Sequence, residues 1–292
     1  MGKAWWASAA ILLLASGCQT IREVPQTHGH PSRWSAETRA VAAETYSYAL
    51  MANNAYAAGH VDLGPDLHEI GGDPAGPCGF AYRTFERRSG GRAVEVILAY
   101  RGTEFTDPGD WLCGNLLGTQ NRSGLAAYDS WRDRTPRHIP VNVTGHSLGG
   151  GIATFVSINR SRVNSYAFNS SPRFWRRGRQ QENRRISVVE NGEILNLARL
   201  FGREATQLYV SLGCSRGNPV SQHAMLKLAG CLTEIAAIGC AEARSARDRN
   251  LSLRRPNGPW PREPGDEAGR RCIRMPVDNV RTHPVHLIQH DP

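Results

Sequence analysis

The most regular pattern of hydrophobic and polar positions lies in residues 139–158, which have the sequence IPVNVTGHSLGGGIATFVSI. β-Branched residues alternate with other residues over its first five positions, as is typical of a strand. Its last seven positions carry apolar residues at helical spacing, at Ile152, Phe155, Val156 and Ile158. The glycine-rich stretch between them is short. The pattern therefore predicts a strand, a tight turn and a helix in direct succession.

The same periodicities predict the other elements of an α/β domain over residues 34–240. Ser35 is placed as the N-cap of a helix over residues 36–58. The tetrapeptide RSGG at residues 88–91 predicts a hairpin turn, and residues 59–78 have the glycine and proline content of a loop. The strands expected are residues 80–87, 93–101, 163–169, 186–189 and 208–212, and the further helices are residues 126–134 and 224–238.

The first 18 residues have the features of a targeting segment. Lys3 precedes a short apolar run over residues 5–15, which ends in Leu-Ala-Ser-Gly before Cys18. Small residues directly before a cysteine resemble the processing site of a bacterial lipoprotein. We therefore expect a signal peptide over residues 1–17, a lipidated Cys18, a tether over residues 18–33 and an exported, membrane-anchored protein. A plain secretory peptide cut nearby is the alternative.

The cysteine count agrees with export. Removing Cys18 from the seven cysteines leaves six, at Cys78, Cys113, Cys214, Cys231, Cys240 and Cys272. An even set in an oxidising compartment predicts disulfides, and six cysteines allow 15 pairings. No Cys or His spacing is typical of a metal site, so no metal is expected. Residues 241–292 are rich in arginine and proline and are expected to form a C-terminal extension, which either wraps over the domain and is pinned by Cys272 or is a partly disordered tail.

Charge adds one candidate surface. The net charge is +9, and six arginines surround Phe174 and Trp175 in residues 172–185. This segment is either a solvated loop or a loop that binds an anionic surface such as phospholipid headgroups. No basic motif interleaved with aromatic residues is typical of nucleic-acid binding, so nucleic acid is not expected as a partner.

The turn at residues 145–149, Gly-His-Ser-Leu-Gly, carries the candidate chemistry. A serine at a sharp strand-to-helix corner presents its hydroxyl outward, and glycines at the flanking positions avoid collisions with the neighbouring strand and helix. Ser147 is therefore the expected nucleophile. The Leu148 N–H, at the start of the helix, points toward a developing oxyanion. The glycines do not have the spacing of a dinucleotide-binding motif.

A serine nucleophile needs a histidine base and a carboxylate that fixes the base. Ser147, Glu193 and His223 follow one another in that order, each in a loop at a predicted strand end. Four segments, VTGHSLGG at 143–150, YRGTE at 100–104, ENGEIL at 190–195 and QHAMLKL at 222–228, together resemble the class 3 lipases. The resemblance covers residues 36–238.

The resemblance implies an α/β-hydrolase with a central, mostly parallel sheet and flanking helices. It implies that Thr103 and the Leu148 N–H form the oxyanion hole, that residues 105–125 form a lid, and that no cofactor is needed. Glu193 stands where the family usually has Asp, which leaves Glu190 as a rival acid. The distance along the chain from Glu193 to His223 is short for the family, so His283 and His286 remain alternative bases.

The expected function is hydrolysis of lipid esters, of the lipase or phospholipase type, by an exported serine hydrolase. Its expected partners are the lipid substrate and a membrane surface, reached through the lipid anchor and the basic loop. An acyltransferase or thioesterase with the same triad is one alternative. A non-catalytic surface lipoprotein on a hydrolase scaffold is another, which the replacement of Asp by Glu at position 193 keeps open.

Overall fold

The computed structural model describes residues 19–23, 34–74, 76, 79–102, 119–172, 182–196, 199, 208–215 and 217–253. These residues form one sheet of eight strands with helices on both faces. The strands are β1 Gln19–Glu23, β2 Leu67–Asp73, β3 Tyr82–Ser89, β4 Arg92–Tyr100, β5 Val141–His146, β6 Ser165–Phe168, β7 Arg185–Glu190 and β8 Leu208–Leu212. The helices are α1 Ala36–Asn54, α2 Thr119–Arg134, α3 Leu148–Asn159, α4 Pro219–Gln222, α5 Met225–Ala237 and α6 Ala241–Arg249, followed by a 3-10 turn at Leu251–Leu253.

The strand order is β1-β8-β7-β6-β5-β4-β3-β2. In this spatial order, the first six strands, β1, β8, β7, β6, β5 and β4, are mutually parallel. The pairs β4–β3 and β3–β2 are antiparallel and form one edge of the sheet. Strands β5 to β8 are buried along their whole length, as expected for parallel strands covered by helices on both faces. Since the carboxyl ends of parallel strands share one edge of a sheet, the loops after β5, β7 and β8 meet there. The expected central, mostly parallel sheet is confirmed.

Two apolar clusters form the core, one on each face of the sheet. Alternate residues of β4 divide between them, with Ile97 in the cluster beneath α1, α5 and α6 and Leu98 in the cluster beneath α2 and α3. This alternation follows from the period of two in a strand, which sends successive side chains to opposite faces. The helices therefore pack on both faces because the strands are apolar at consecutive positions.

Several local predictions are confirmed. Ser35 caps α1, since its Oγ accepts from the Thr38 N–H at 3.1 Å. The turn between β3 and β4 has positive φ at both Gly90 and Gly91, at 57° and 77°, which matches the hairpin predicted there. The strand at residues 208–212 has the predicted bounds. Helix α1 ends at Asn54, earlier than predicted, and α2 begins at Thr119, seven residues earlier than predicted.

Two strands lie where the sequence predicted loop or tether. β1 falls in the predicted tether, and β2 falls in the predicted loop at residues 59–78. Both are edge strands at opposite ends of the sheet. Only Leu67 of β2 is buried, so that strand lacks the alternation of a half-buried strand. Backbone pairing with β8 and β3 supports these strands, and a hydrophobicity pattern does not record backbone pairing.

The residues just beyond the predicted boundary at residue 240 pack against the core. Cys240, Ala243, Ala246 and Leu253 are buried in the cluster under α1 and α5, so α6 belongs to the domain. Its apolar positions are small alanines among arginines, which hides the helical period. Residues 254–292 of the predicted extension, and residues 1–17 of the predicted signal peptide, lie outside the described residues.

A disulfide between Cys214 and Cys231 joins the loop after β8 to α5. The prediction that the cysteines pair is thus confirmed for these two. The segment that they close includes His223, so the bond fastens both ends of that segment to the domain. No described helix is long and apolar enough to cross a membrane.

Candidate active site

Ser147 lies at the sharp turn between β5 and α3. Its backbone has φ 55° and ψ −123°, a left-handed conformation that residues other than glycine rarely adopt. Its N–H donates to the Phe168 carbonyl at 3.0 Å, and its carbonyl accepts from the N–H groups of Gly151 and Ser171 at 3.2 and 2.9 Å. Hydrogen bonds to β6 and to the segment after it therefore hold the strained residue in place.

The glycines around this turn are required by close backbone contacts. A Cβ on Gly145 would lie 2.4 Å from the carbonyl carbon of Gly149, and a Cβ on Gly149 would lie 2.1 Å from the Tyr100 oxygen. On the other side, a Cβ on Gly102 would lie 2.9 Å from the Ser147 Cβ. The chain leaving β4 thus runs directly against the serine. A mostly parallel sheet in which a strained serine lies at the turn from a strand to a helix defines one fold class. This is the architecture of an α/β-hydrolase.

Glu193 and His223 form a buried pair at the same edge of the sheet. The His223 Nδ1 lies 2.5 Å from the Glu193 Oε2, and the two residues are 4% and 2% exposed. A carboxylate at Nδ1 holds the imidazole in the tautomer with the proton on that nitrogen, which leaves Nε2 as the base. His223 directly follows α4, two residues before α5 begins.

The Glu193 carboxylate is held by two further donors. The Leu195 N–H donates to Oε2 at 3.0 Å, and the Arg199 guanidinium forms a buried ion pair with Oε1. Burial by itself raises the pKa of the Glu193 carboxyl. Hydrogen bonding to His223, the positive charge of Arg199 and the Leu195 N–H outweigh burial, and the pKa of Glu193 falls below its ordinary value. The carboxylate is therefore ionised at neutral pH, as an orienting acid must be.

The rival acid makes different contacts. The Oε1 of Glu190 accepts from the Ser215 N–H at 2.7 Å and lies 3.3 Å from the Ser215 hydroxyl. Glu190 thus ties the end of β7 to the loop after β8. The alternative bases His283 and His286 lie outside the described residues.

His223 contacts His146, the residue that precedes Ser147. The His146 ring lies 4.7 Å from the His223 ring between centroids, and its Nε2 lies 2.8 Å from the His223 carbonyl oxygen. Asn169 also donates to this carbonyl, at 3.3 Å. His223, Glu193 and the strained Ser147 therefore lie at one edge of the sheet.

The predicted oxyanion hole and lid are described only in part. Leu148 is the first residue of α3, so its N–H has no acceptor within the helix. Thr103 lies outside the described residues, as do residues 105–118 of the predicted lid. Residues 119–125 of the predicted lid form the start of α2, where Gly124 packs closely against Ile152 of α3.

The basic segment at residues 172–185 is also described only in part. Its residues 173–181 lie outside the described part of the chain. Arg184 is buried and makes two hydrogen bonds of 2.7 Å to the Glu44 carboxylate, and Arg185 is buried in β7. These two arginines stabilise the fold, so they are not part of a surface-binding loop. Across the described ranges, no group of three or more His, Cys, Asp or Glu side chains is arranged to hold a metal ion.

No protein-family model matches the sequence, and no curated protein matches it. Among solved structures, the triacylglyceride lipase of Rhizomucor miehei is similar, with 15% identity, coverage of 58% of this chain and 78% of that chain, and a TM-score of 0.36. Lipase II of Rhizopus niveus has 15% identity, coverage of 56% and 77%, and a TM-score of 0.35. Carboxyl esterase 2 of Tuber melanosporum has 11% identity, coverage of 73% and 98%, and a TM-score of 0.37. The fold assignment depends on the sheet order and on the geometry of the turn at Ser147.

Arg199 is the site residue that the sequence analysis missed. Its Nη1 pairs with Glu193, and its Nε donates to the Ser170 carbonyl at 2.6 Å. The side chains of Arg199 and Glu193 are both almost completely buried. An arginine six positions after a candidate acid is a weak signal in an arginine-rich chain, and only the folded structure shows that the two side chains meet.

We expect Arg199→Met to lower kcat/KM at the acidic end of the pH–rate profile by more than it does at neutral pH. Without the guanidinium, the pKa of the Glu193 carboxyl rises, so the ionised carboxylate that orients His223 is lost at a higher pH as the solution is acidified. Loss of one partner of a buried ion pair also lowers the free energy of unfolding by about 3–5 kcal/mol. The measurements are kcat/KM from pH 4 to 9 and urea denaturation.

The matched control for this variant is Arg184→Met, which breaks the other buried arginine–glutamate pair, with Glu44. It should destabilise the fold to a similar extent and lower kcat/KM no more at acidic pH than at neutral pH. An equal additional loss at acidic pH in both variants would show that Arg199 acts on stability alone.

Proposed function

We propose that this protein is a serine hydrolase that cleaves carboxylic esters of lipids through an acyl-enzyme. The observation that carries the proposal is the buried Glu193–His223 pair beside the strained Ser147. A nucleophile, a base and an orienting acid in this arrangement are the parts of an acyl-transfer site. The lipid part of the proposal is supported by the sequence resemblance to class 3 lipases, and no cofactor takes part in it.

In the proposed reaction, the Ser147 Oγ attacks the ester carbonyl carbon while His223 Nε2 takes the hydroxyl proton. The carbonyl oxygen becomes an oxyanion, which the N–H groups of Leu148 and Thr103 stabilise. His223 then gives its proton to the leaving alcohol, and the acyl group stays on Ser147. A water molecule, deprotonated by His223, attacks the acyl-enzyme; His223 then returns the proton to the Ser147 Oγ as the acyl–oxygen bond breaks and the fatty acid is released. Glu193 remains ionised and stabilises the imidazolium in both halves.

Covalent labelling with a fluorophosphonate tests the reaction class. The probe should label the wild type at one serine and should fail to label Ser147→Ala. Ser157→Ala is the matched control, because Ser157 lies on the helix that begins after Ser147. Its Oγ donates a hydrogen bond to the Val163 carbonyl at 2.8 Å, away from His223. That variant should be labelled like the wild type. An unlabelled wild type would favour the non-catalytic scaffold.

Substrate class is tested with p-nitrophenyl esters of increasing chain length and with phospholipid and triacylglycerol emulsions. A preference for long-chain esters presented at an interface supports the lipase or phospholipase form of the proposal. Transfer of the acyl group to an added alcohol, in preference to water, would favour the acyltransferase alternative. Turnover of acyl thioesters well above that of oxygen esters would favour a thioesterase.

We also propose that Cys18 carries the lipid anchor of an exported protein. In a detergent phase-partitioning assay, the wild type should enter the detergent phase and Cys18→Ser should stay in the aqueous phase. Gln19, the next residue in the sequence, starts β1, which runs parallel to β8, so β1 begins at the amino ends of the parallel strands and Ser147 lies at their carboxyl ends. Unchanged partitioning of the variant, with a mature N-terminus elsewhere, would contradict the anchor.

A further inference from the structure

One chain of hydrogen bonds joins the three segments that meet at the candidate active site. The Gly102 N–H donates to the Tyr56 hydroxyl at 3.2 Å. The same hydroxyl lies 2.6 Å from His146 Nδ1, and His146 Nε2 lies 2.8 Å from the His223 carbonyl oxygen. Gly102 follows β4, His146 ends β5 and His223 follows α4. Tyr56 and His146 therefore connect elements that are far apart in sequence.

The direction of every bond in this chain is determined by its two ends. A peptide N–H can only donate and a carbonyl oxygen can only accept. His146 must therefore carry a proton on Nε2 to reach the His223 carbonyl. Its Nδ1, in the neutral ring, is then an acceptor for the Tyr56 O–H, and the Tyr56 oxygen is left to accept from Gly102.

The surroundings of His146 favour this neutral form. Burial lowers the pKa of the His146 imidazole well below its ordinary value. The proximity of His223 and of the Arg199 guanidinium acts in the same direction, while the hydrogen bond to the His223 carbonyl opposes it. A neutral His146 keeps Nδ1 as an acceptor, so the chain of bonds persists at neutral pH.

Each end of the chain is attached to a reacting part of the site. Gly102 lies against Ser147 and directly precedes Thr103, the expected oxyanion-hole residue. His146 directly precedes the nucleophile, and the carbonyl that it binds belongs to the base. We propose that Tyr56 and His146 are positioning residues. They hold the oxyanion-hole segment, the nucleophile and the base at the distances from one another that the reaction requires. This inference rests on the proposed function, and it assigns neither residue a contact with substrate.

Tyr56→Phe tests the proposal, because it removes the central hydroxyl and keeps the ring. We expect kcat to fall by about 10- to 100-fold, since small misplacements of reacting groups have effects of that size. KM should change less than about twofold, because no substrate contact is lost. The matched control is Tyr48→Phe, a nearby tyrosine of α1 whose hydroxyl hydrogen-bonds to Glu95 at 2.5 Å near the start of β4. That variant should lose stability and keep kcat.

His146 provides the second arm of the experiment. His146→Phe removes both of its bonds and should lower kcat like Tyr56→Phe. His146→Gln keeps an N–H donor for the His223 carbonyl and should recover part of the loss. Because the two residues act in one chain, Tyr56→Phe combined with His146→Phe should lower kcat little more than the larger single change.

Three outcomes would overturn the proposal. They are wild-type kcat in Tyr56→Phe, an equal loss of kcat in Tyr48→Phe, and a double variant whose loss is the product of the two single losses. Thermal melting and fluorophosphonate labelling of each variant separate misfolding from misplacement. Failure of the proposed function is distinguishable from all three, since the wild type itself would then show no labelling and no ester hydrolysis.

Discussion

Replacement of Ser147 by alanine is expected to lower kcat by about 10⁶-fold, the effect seen when the nucleophile of such a triad is removed. No other group can form the acyl-enzyme, so only stabilisation of the oxyanion and substrate binding remain, worth about 10³- to 10⁴-fold over water. The fold should survive, because the hydrogen bonds that hold Ser147 come from its backbone and its side chain makes no capping bond. The measurements are steady-state ester hydrolysis and thermal melting.

Ser147→Gly separates the chemistry from the strain at this residue. It should be as inactive as the alanine variant, but glycine adopts φ 55° without the steric cost that other residues incur there, about 1–3 kcal/mol. Part of the stability gained by relieving this strain is offset by the greater freedom of glycine in the unfolded chain. We therefore expect the glycine variant to melt at or above the temperature of the alanine variant. Substantial hydrolysis by either variant would contradict the assignment of Ser147 as nucleophile.

The second large effect is expected at Glu193. Loss of the carboxylate leaves His223 without the group that fixes its tautomer and stabilises its protonated form. Such a loss typically slows acyl transfer by about 10⁴-fold, or roughly 5 kcal/mol of barrier. Glu193→Gln should have this effect, because the amide is uncharged. Glu193→Asp should keep partial activity, because the carboxylate is retained on an arm one methylene shorter. The measurement is kcat/KM at neutral pH, with melting curves.

Glu190→Gln is the matched control, since Glu190 lies three residues earlier and binds Ser215. It should retain activity. If Glu190→Gln were the inactive variant, the acid would be misassigned between the two glutamates. If both glutamine variants stayed active, the acid would lie elsewhere. The remaining candidate acids would then be Asp248 and Asp278, which follow His223 in the sequence. Asp278 would be tested first, because Asp248 lies on α6 and pairs with Arg247.

Local sequence patterns were enough to predict those parts of this protein that short-range interactions control. Alternating β-branched residues, a glycine-flanked serine and an amphipathic run fall within residues 139–158, so the strand, the turn and the helix could be predicted without long-range contacts. The chain order of Ser147, Glu193 and His223 was also available from residue types and from their positions at the ends of predicted elements. The hairpin turn and the cap of α1 are local for the same reason.

Which side chains contact one another depends on long-range packing, which local patterns do not record. Glu193 is distinguished from Glu190 because the chain turns at Gly192, with φ 80°, which brings the later carboxylate to His223. The roles of Arg199, Tyr56 and His146 depend on contacts between segments distant in sequence, and none of the three carries a local signal of its role. The edge strands were missed because backbone hydrogen bonds can hold a strand whose side chains are mostly polar. Local patterns determine elements and turns, whereas the partners of buried charges are chosen by packing.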